Sequence, residues 1–110
     1  MPSWYRYLTL PDGRKLDNLK KENMMRQLAK ENIPASTMSS LRCESVVLKG
    51  ILLRNEQLLK LSKSLLKALK QYRDEVKTGW LFPSNRNSKN AISERMARYI
   101  VYGRWNGAQF

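Results

Sequence analysis

The chain has 110 residues, enough for one domain with a modest core and too few for two independent domains. Twenty-one lysines and arginines face nine aspartates and glutamates, and the resulting net charge of +12 is typical of proteins with a polyanionic partner. The chain has no histidine and one cysteine, which excludes histidine-based catalysis, an intrachain disulfide and a multi-cysteine zinc site. We therefore expect a single domain over residues 1–110 without metal or cofactor.

The N-terminal third predicts a β-hairpin followed by a helix. Residues 4–16 are rich in strand-forming side chains and contain the turn signal Pro11-Asp12-Gly13. Residues 17–31 predict a helix capped by Asp17 or Asn18, with a loose apolar face. That face consists of Leu19, Met24, Met25 and Leu28.

The middle of the chain predicts one long helix over residues 37–77, with a possible break at Gly50. Its apolar residues fall on one broad arc at helical spacing, so residues 44–76 would form a rod of roughly 50 Å. The fold class expected is therefore mainly α, a helical domain with one long helix and a small N-terminal β-hairpin. Because such an arc is wider than the short remaining elements can cover, the pattern also predicts a homodimer.

The C-terminal third predicts an apolar anchor, a basic loop and a last helix. Trp80-Leu81-Phe82-Pro83 forms the anchor, and residues 84–89 form the polar, basic loop. The last helix is expected over 91–102, with Asn90 as its cap. Its apolar face would hold Ile92, Met96, Tyr99 and Ile100.

Four lysines in the middle segment are spaced by three and four residues, which places them on one face of the predicted long helix. They are Lys60, Lys63, Lys67 and Lys70. Rows of lysines suit phosphate groups, since each ammonium acts as a flexible point charge. A solvated face that keeps a leucine-rich helix in solution is the alternative interpretation.

A second basic cluster lies in the C-terminal third. Its members are Arg86, Lys89, Arg95, Arg98 and Arg104. Guanidinium groups can bind phosphates or guanine edges in a bidentate manner, and the interleaved Tyr102 and Trp105 could stack on bases. Core packing is the favoured role for Tyr99, because it falls on the apolar face of the last helix.

Catalysis finds little support in the sequence. The acidic residues are scattered, and no phosphate-binding glycine loop occurs. Residues 24–41 show a weak helix-turn-helix spacing, but an ordinary helix–loop–helix corner is the favoured interpretation.

Residues 61–98 nevertheless resemble part of the catalytic domain of tyrosine recombinases, the phage integrase family. The resemblance lies in Leu61-Ser62 with the leucines that follow, in Leu81-Phe82-Pro83-Ser84, and in Ile92-Ser93. In that family the segment leads into a His-x-x-Arg box and a nucleophilic tyrosine. Because the chain has no histidine, the catalytic residues cannot be carried over. The resemblance implies DNA contact without strand cleavage.

Together these patterns predict a non-enzymatic nucleic-acid-binding protein, with double-stranded DNA as first target and RNA as second. A phage or plasmid regulatory or accessory factor would fit. The alternatives are a protein-interaction module acting through the leucine-rich helix 44–76, and a catalytically incomplete recombinase fragment. No stretch approaches a membrane span of roughly 18 apolar residues, and the N-terminus lacks the apolar core of a signal peptide. We therefore expect no membrane partner and a cytoplasmic location, or a nuclear one in a eukaryote.

Overall fold

The computed structural model describes residues 6–77 and 79–102. Within them, two small antiparallel sheets alternate with helices. The first sheet has strands β1 (Tyr7–Thr9) and β2 (Lys15–Asp17), and the second has β3 (Val46–Val47), β4 (Gly50–Leu52) and β5 (Leu58–Lys60). The helices are α1 (Asn18–Lys30), α2 (Ala35–Met38), α3 (Lys63–Val76) and α4 (Glu94–Tyr102).

The N-terminal hairpin and first helix agree with the sequence predictions, except that Leu19, predicted on the apolar face of the helix, is 39% exposed. Leu8 of β1 pairs opposite Leu16 of β2, and both side chains are buried. The Asp17 carboxylate caps α1 by accepting a hydrogen bond of 2.9 Å from the Leu19 backbone N–H. Residues 4 and 5, with which the predicted hairpin begins, lie outside the described residues.

The prediction of a mainly α fold with one long helix is wrong. Residues 37–77 form the end of α2, a short 3-10 turn at Cys43–Ser45, the sheet β3–β4–β5, and then α3. The fold is thus a small mixed α/β globule. The rod of residues 44–76 does not exist, so the apolar arc on which the homodimer prediction rested does not exist either.

Local geometry explains why a sheet replaces the helix. Gly50 begins β4 with φ at +152°, and it lies so close to β5 that an added Cβ would sit 2.1 Å from the Leu59 carbonyl oxygen. The β4–β5 loop closes when the Leu53 N–H donates to the Gln57 carbonyl at 2.8 Å. Glu56 adopts a positive φ of 65° in that loop. These turns fix the register with Ile51 opposite Leu59.

Helix α3 begins at a well-formed cap. The Ser62 hydroxyl accepts from the Leu65 backbone N–H at 3.4 Å and donates to Glu31 at 2.6 Å. The hydrogen bonds that Glu31 accepts from the Ser62 hydroxyl and the Ser62 backbone N–H lower the pKa of the Glu31 carboxyl. The cap joins the start of α3 to the end of α1, so both helices are fixed at this corner.

The core lies between the helices and the apolar anchor at residues 80–83. Most of this anchor is buried, as predicted. Leu81 and Phe82 are fully buried, and the Phe82 ring stacks on Tyr72 of α3 with centroids 5.6 Å apart. The Tyr72 hydroxyl donates to the Leu81 carbonyl at 2.7 Å. Helix α1 packs against both α3 and α4, so it lies between the two helices that carry most of the predicted binding residues.

Candidate nucleic-acid interface

Helix α3 presents a stripe of lysines on its outer face. Its buried residues are Leu65, Leu69, Tyr72 and Val76. At about 100° per residue, Lys63, Lys67 and Lys70 point to the opposite side, within an arc of roughly 60°. Lys63 and Lys67 are exposed and Lys70 is partly exposed. The three positions span about 10 Å of helix. We call them the α3 lysine stripe.

Lys60 does not belong to this helix face, contrary to the prediction. It is the last residue of β5, where it pairs in register with Gly50. Its side chain is exposed, three residues before the helix begins. A spacing of three places two residues on one helix face only where both are helical, and Lys60 lies in a strand.

The acidic residues are matched with cations elsewhere on the protein. In the described residues, seven ion pairs use seven of the nine carboxylates of the chain. Their cations are Arg6, Arg14, Lys20, Arg26, Arg42, Arg73 and Arg98. Glu31 instead accepts hydrogen bonds from Ser62. No described ion pair involves the α3 lysine stripe or Lys60.

The basic loop is a fixed structure. The Ser84 N–H donates to the Asn90 carbonyl at 2.8 Å, and the Ile92 N–H donates to the Phe82 carbonyl at 2.9 Å, which ties both ends of the loop together. Arg86 and Lys89 are exposed on it. The segment that the sequence predicts to be a polar, basic loop is therefore a compact turn that faces outward.

Helix α4 begins at Glu94, three residues later than predicted, and buries Ala97 and Ile100. Tyr99 is 41% exposed, so its assignment to the core is wrong. At helical spacing it shares the outer face with Arg95, Arg98 and Tyr102. Arg98 pairs with Glu94 at 3.3 Å. Arg104 and Trp105, which the sequence also proposed for binding, lie outside the described residues.

Lys21 is a structural residue that the sequence analysis missed. It is fully buried in α1, where its ammonium donates to the Pro83 carbonyl at 3.0 Å and to the Asn85 side-chain oxygen. Burial lowers the pKa of Lys21 to about 8. By holding residues 83 and 85, Lys21 positions the loop that carries Arg86 and Lys89. Lys21 lies four residues before Met25 and seven before Leu28, so it falls on the same helix face as these buried residues. This spacing is the signal that could have identified Lys21 as buried.

Cys43 is buried, and burial raises the pKa of its thiol. Across residues 6–77 and 79–102, no three side chains of the metal-binding types gather at one place. No helix in these ranges has the length and apolar character needed to cross a membrane.

The residues that resemble tyrosine recombinases occupy definite places in the fold. Ser62 caps α3, and Ser93 precedes α4 and accepts from the Met96 N–H at 3.1 Å. Phe82 and Pro83 lie in the buried anchor. The recombinase resemblance itself stays a prediction, since no protein-family model, no curated protein and no solved structure matches the chain.

Proposed function

We propose that this protein binds nucleic acid without a catalytic step, with duplex DNA as the first target and RNA as the second. The α3 lysine stripe would be the main contact, and Lys60 would extend it. Arg86 and Lys89 on the loop, with Arg95 and Arg98 on α4, would supply further contacts. The proposed location is the cytoplasm, or the nucleus in a eukaryote.

The observation that carries the proposal is the distribution of ion pairs. A set of lysines whose only role was to balance nearby carboxylates would appear among those pairs, and the α3 lysine stripe does not. Unmatched ammonium groups on one face repel one another, and a polyanion relieves that repulsion. The extents of 37 × 37 × 24 Å are close to one turn of duplex DNA, roughly 34 Å, so contacts from a single molecule would fall within one turn.

The binding should be steeply salt-dependent. If about five phosphates are neutralised, the logarithm of the association constant should fall against the logarithm of salt concentration with a slope near −4 to −5 for duplex DNA. Fluorescence anisotropy with duplex DNA, duplex RNA and the corresponding single strands measures it. Absence of binding to all of these at about 50 mM salt would refute the proposal.

Replacing Lys63, Lys67 and Lys70 with glutamine should weaken duplex binding more than tenfold at about 100 mM salt and reduce the slope by about 2 to 3. These side chains lie on the outer face of α3, so circular dichroism and the unfolding midpoint should stay nearly unchanged. The change in slope reports lost phosphate contacts directly.

A matched control removes the same charge elsewhere. Lys15, Lys30 and Arg54 are exposed, take part in none of the described ion pairs and lie on elements other than α3. Their triple glutamine variant should retain most of the affinity and the slope. An equal loss in both triple variants would mean that only net charge matters and that the α3 lysine stripe is no binding surface.

Two other predictions remain to be measured. A recombinase fragment would require strand cleavage or covalent DNA attachment, which a nicking assay on supercoiled plasmid detects. The homodimer also stays a prediction, although the apolar arc of the long helix on which it rested does not exist. Sedimentation equilibrium at micromolar concentration measures the oligomeric state.

A further inference from the structure

A groove lies between the β3–β4–β5 sheet and α3, beside strand β3 and the turn that connects β3 to β4. Its volume is about 720 Å³, and five of its lining residues are apolar. They are Val46, Val47, Leu48, Leu52 and Leu58. Leu48, in the β3–β4 turn, is 82% exposed, and Leu52 is 40% exposed. Two large aliphatic side chains thus face solvent beside one concave surface.

The rest of the described lining is cationic. Lys49, Lys70 and Arg73 complete it, and no described lining residue is acidic. Arg73 is held in place, since its guanidinium donates to the Val46 carbonyl at 2.8 Å and pairs with Asp74 at 3.3 Å. Lys49 and Lys70 take part in none of the described ion pairs. The groove therefore combines an apolar lining with two ammonium groups.

We propose that this groove binds a short segment of a partner protein in which leucine-like or aromatic residues alternate with aspartate or glutamate. The apolar side chains would cover Leu48 and Leu52, which removes apolar surface from water. The carboxylates would face Lys49 and Lys70, where complementary charge selects the partner and sets its orientation. This proposal does not rest on nucleic-acid binding, although Lys70 belongs to both proposed surfaces.

The shape and chemistry of the groove favour a peptide over other ligands. A small molecule normally loses most of its surface in an enclosed site, whereas this groove is broadly open to solvent, which suits an extended chain or a helix face. Phosphates gain nothing from the apolar lining, and a purely apolar partner leaves two ammonium groups partly desolvated without a counter-charge. An amphipathic acidic segment satisfies both parts of the surface.

Selection from a phage-displayed library of random twelve-residue peptides tests the proposal. The wild-type protein is the target, and its Leu48→Ser variant is used to remove peptides that bind elsewhere. Leu48 is highly exposed, so this variant should fold normally. The selected peptides should be enriched in Leu, Ile or Phe together with Asp or Glu. Absence of enrichment, or enrichment in only one of these two classes, overturns the proposal.

A charge exchange on the best selected peptide completes the test. Lys49→Glu combined with Lys70→Glu should weaken binding at least tenfold, and the same peptide with lysines in place of its acidic residues should regain affinity for this variant. Two other results would assign the groove to a different occupant and overturn the proposal. One is a self-association that Leu48→Ser abolishes, and the other is a tenfold loss of duplex DNA affinity in Leu48→Ser.

Discussion

Between pH 7.5 and pH 10, the protein should gain about 2 kcal/mol of stability relative to its Lys21→Met variant, from roughly 1.4 kcal/mol per pKa unit. Lys21 is fully buried in α1, and burial lowers its pKa from 10.5 to about 8. Desolvation disfavours the ammonium form in the folded state only. The wild-type protein therefore carries a penalty for its charged lysine that the methionine variant lacks.

The direction follows from proton binding in the two states. Above pH 8 the folded protein releases the Lys21 proton, while the unfolded chain keeps it up to about pH 10.5. The unfolded state binds more protons in this window, so the free energy of unfolding rises with pH. Below pH 8 both states are protonated and the penalty is constant. The neutral amine retains two N–H donors, which match the two acceptors on Pro83 and Asn85.

Urea denaturation of both proteins at several pH values measures the effect. Burial raises the pKa of Tyr72 and of Cys43, which lowers stability as each group ionises in the unfolded chain at high pH. Because both proteins contain these groups, the difference between the two unfolding free energies isolates Lys21. A difference that stays constant from pH 7.5 to 10 would show that the Lys21 pKa is not lowered.

The leucine spacing of residues 48–69 shows where inference from sequence failed. Leu48, Leu52, Leu59 and Leu66 fit a helical period, yet the first three lie in or beside the β3–β4–β5 sheet. Short strands connected by tight turns can reproduce that spacing by chance. The deciding features were Gly50, the Asn55-Glu56 turn and the Ser62 cap, each of which interrupts a helix. Periodicity over a long window predicts one helix, but these local signals determine the structure.

Short elements with strong local signals were easier to predict. The turn at Pro11-Asp12-Gly13 and the cap at Asp17 depend on nearby residues alone, and both lie where the sequence places them. The α3 lysine stripe also survives the change of fold, because the segment after Ser62 is helical in either case. Exposure of Tyr99 depends on how α4 packs, which no local pattern determines.

Replacing Gly50 with alanine should destabilise the protein by about 3 kcal/mol or more, through positive-φ strain together with overpacking. The new Cβ would lie 2.1 Å from the Leu59 carbonyl oxygen and 3.2 Å from the Lys60 Cα. Both of these atoms belong to the backbone of β5. Backbone cannot rotate away as a flexible side chain can. Strand β5 would have to separate from β4, which disrupts the pairing of Ile51 with Leu59.

Gly13→Ala is the matched control for this prediction. Gly13 also has a positive φ, at +92°, but an added Cβ there meets no atom within 4 Å. It should therefore cost only the backbone strain, about 1 to 2 kcal/mol. Urea denaturation followed by circular dichroism compares the two variants. The difference between them measures the close approach of β4 to β5, the feature that makes residues 46–60 a sheet. Equal losses would mean that this approach contributes nothing beyond backbone strain.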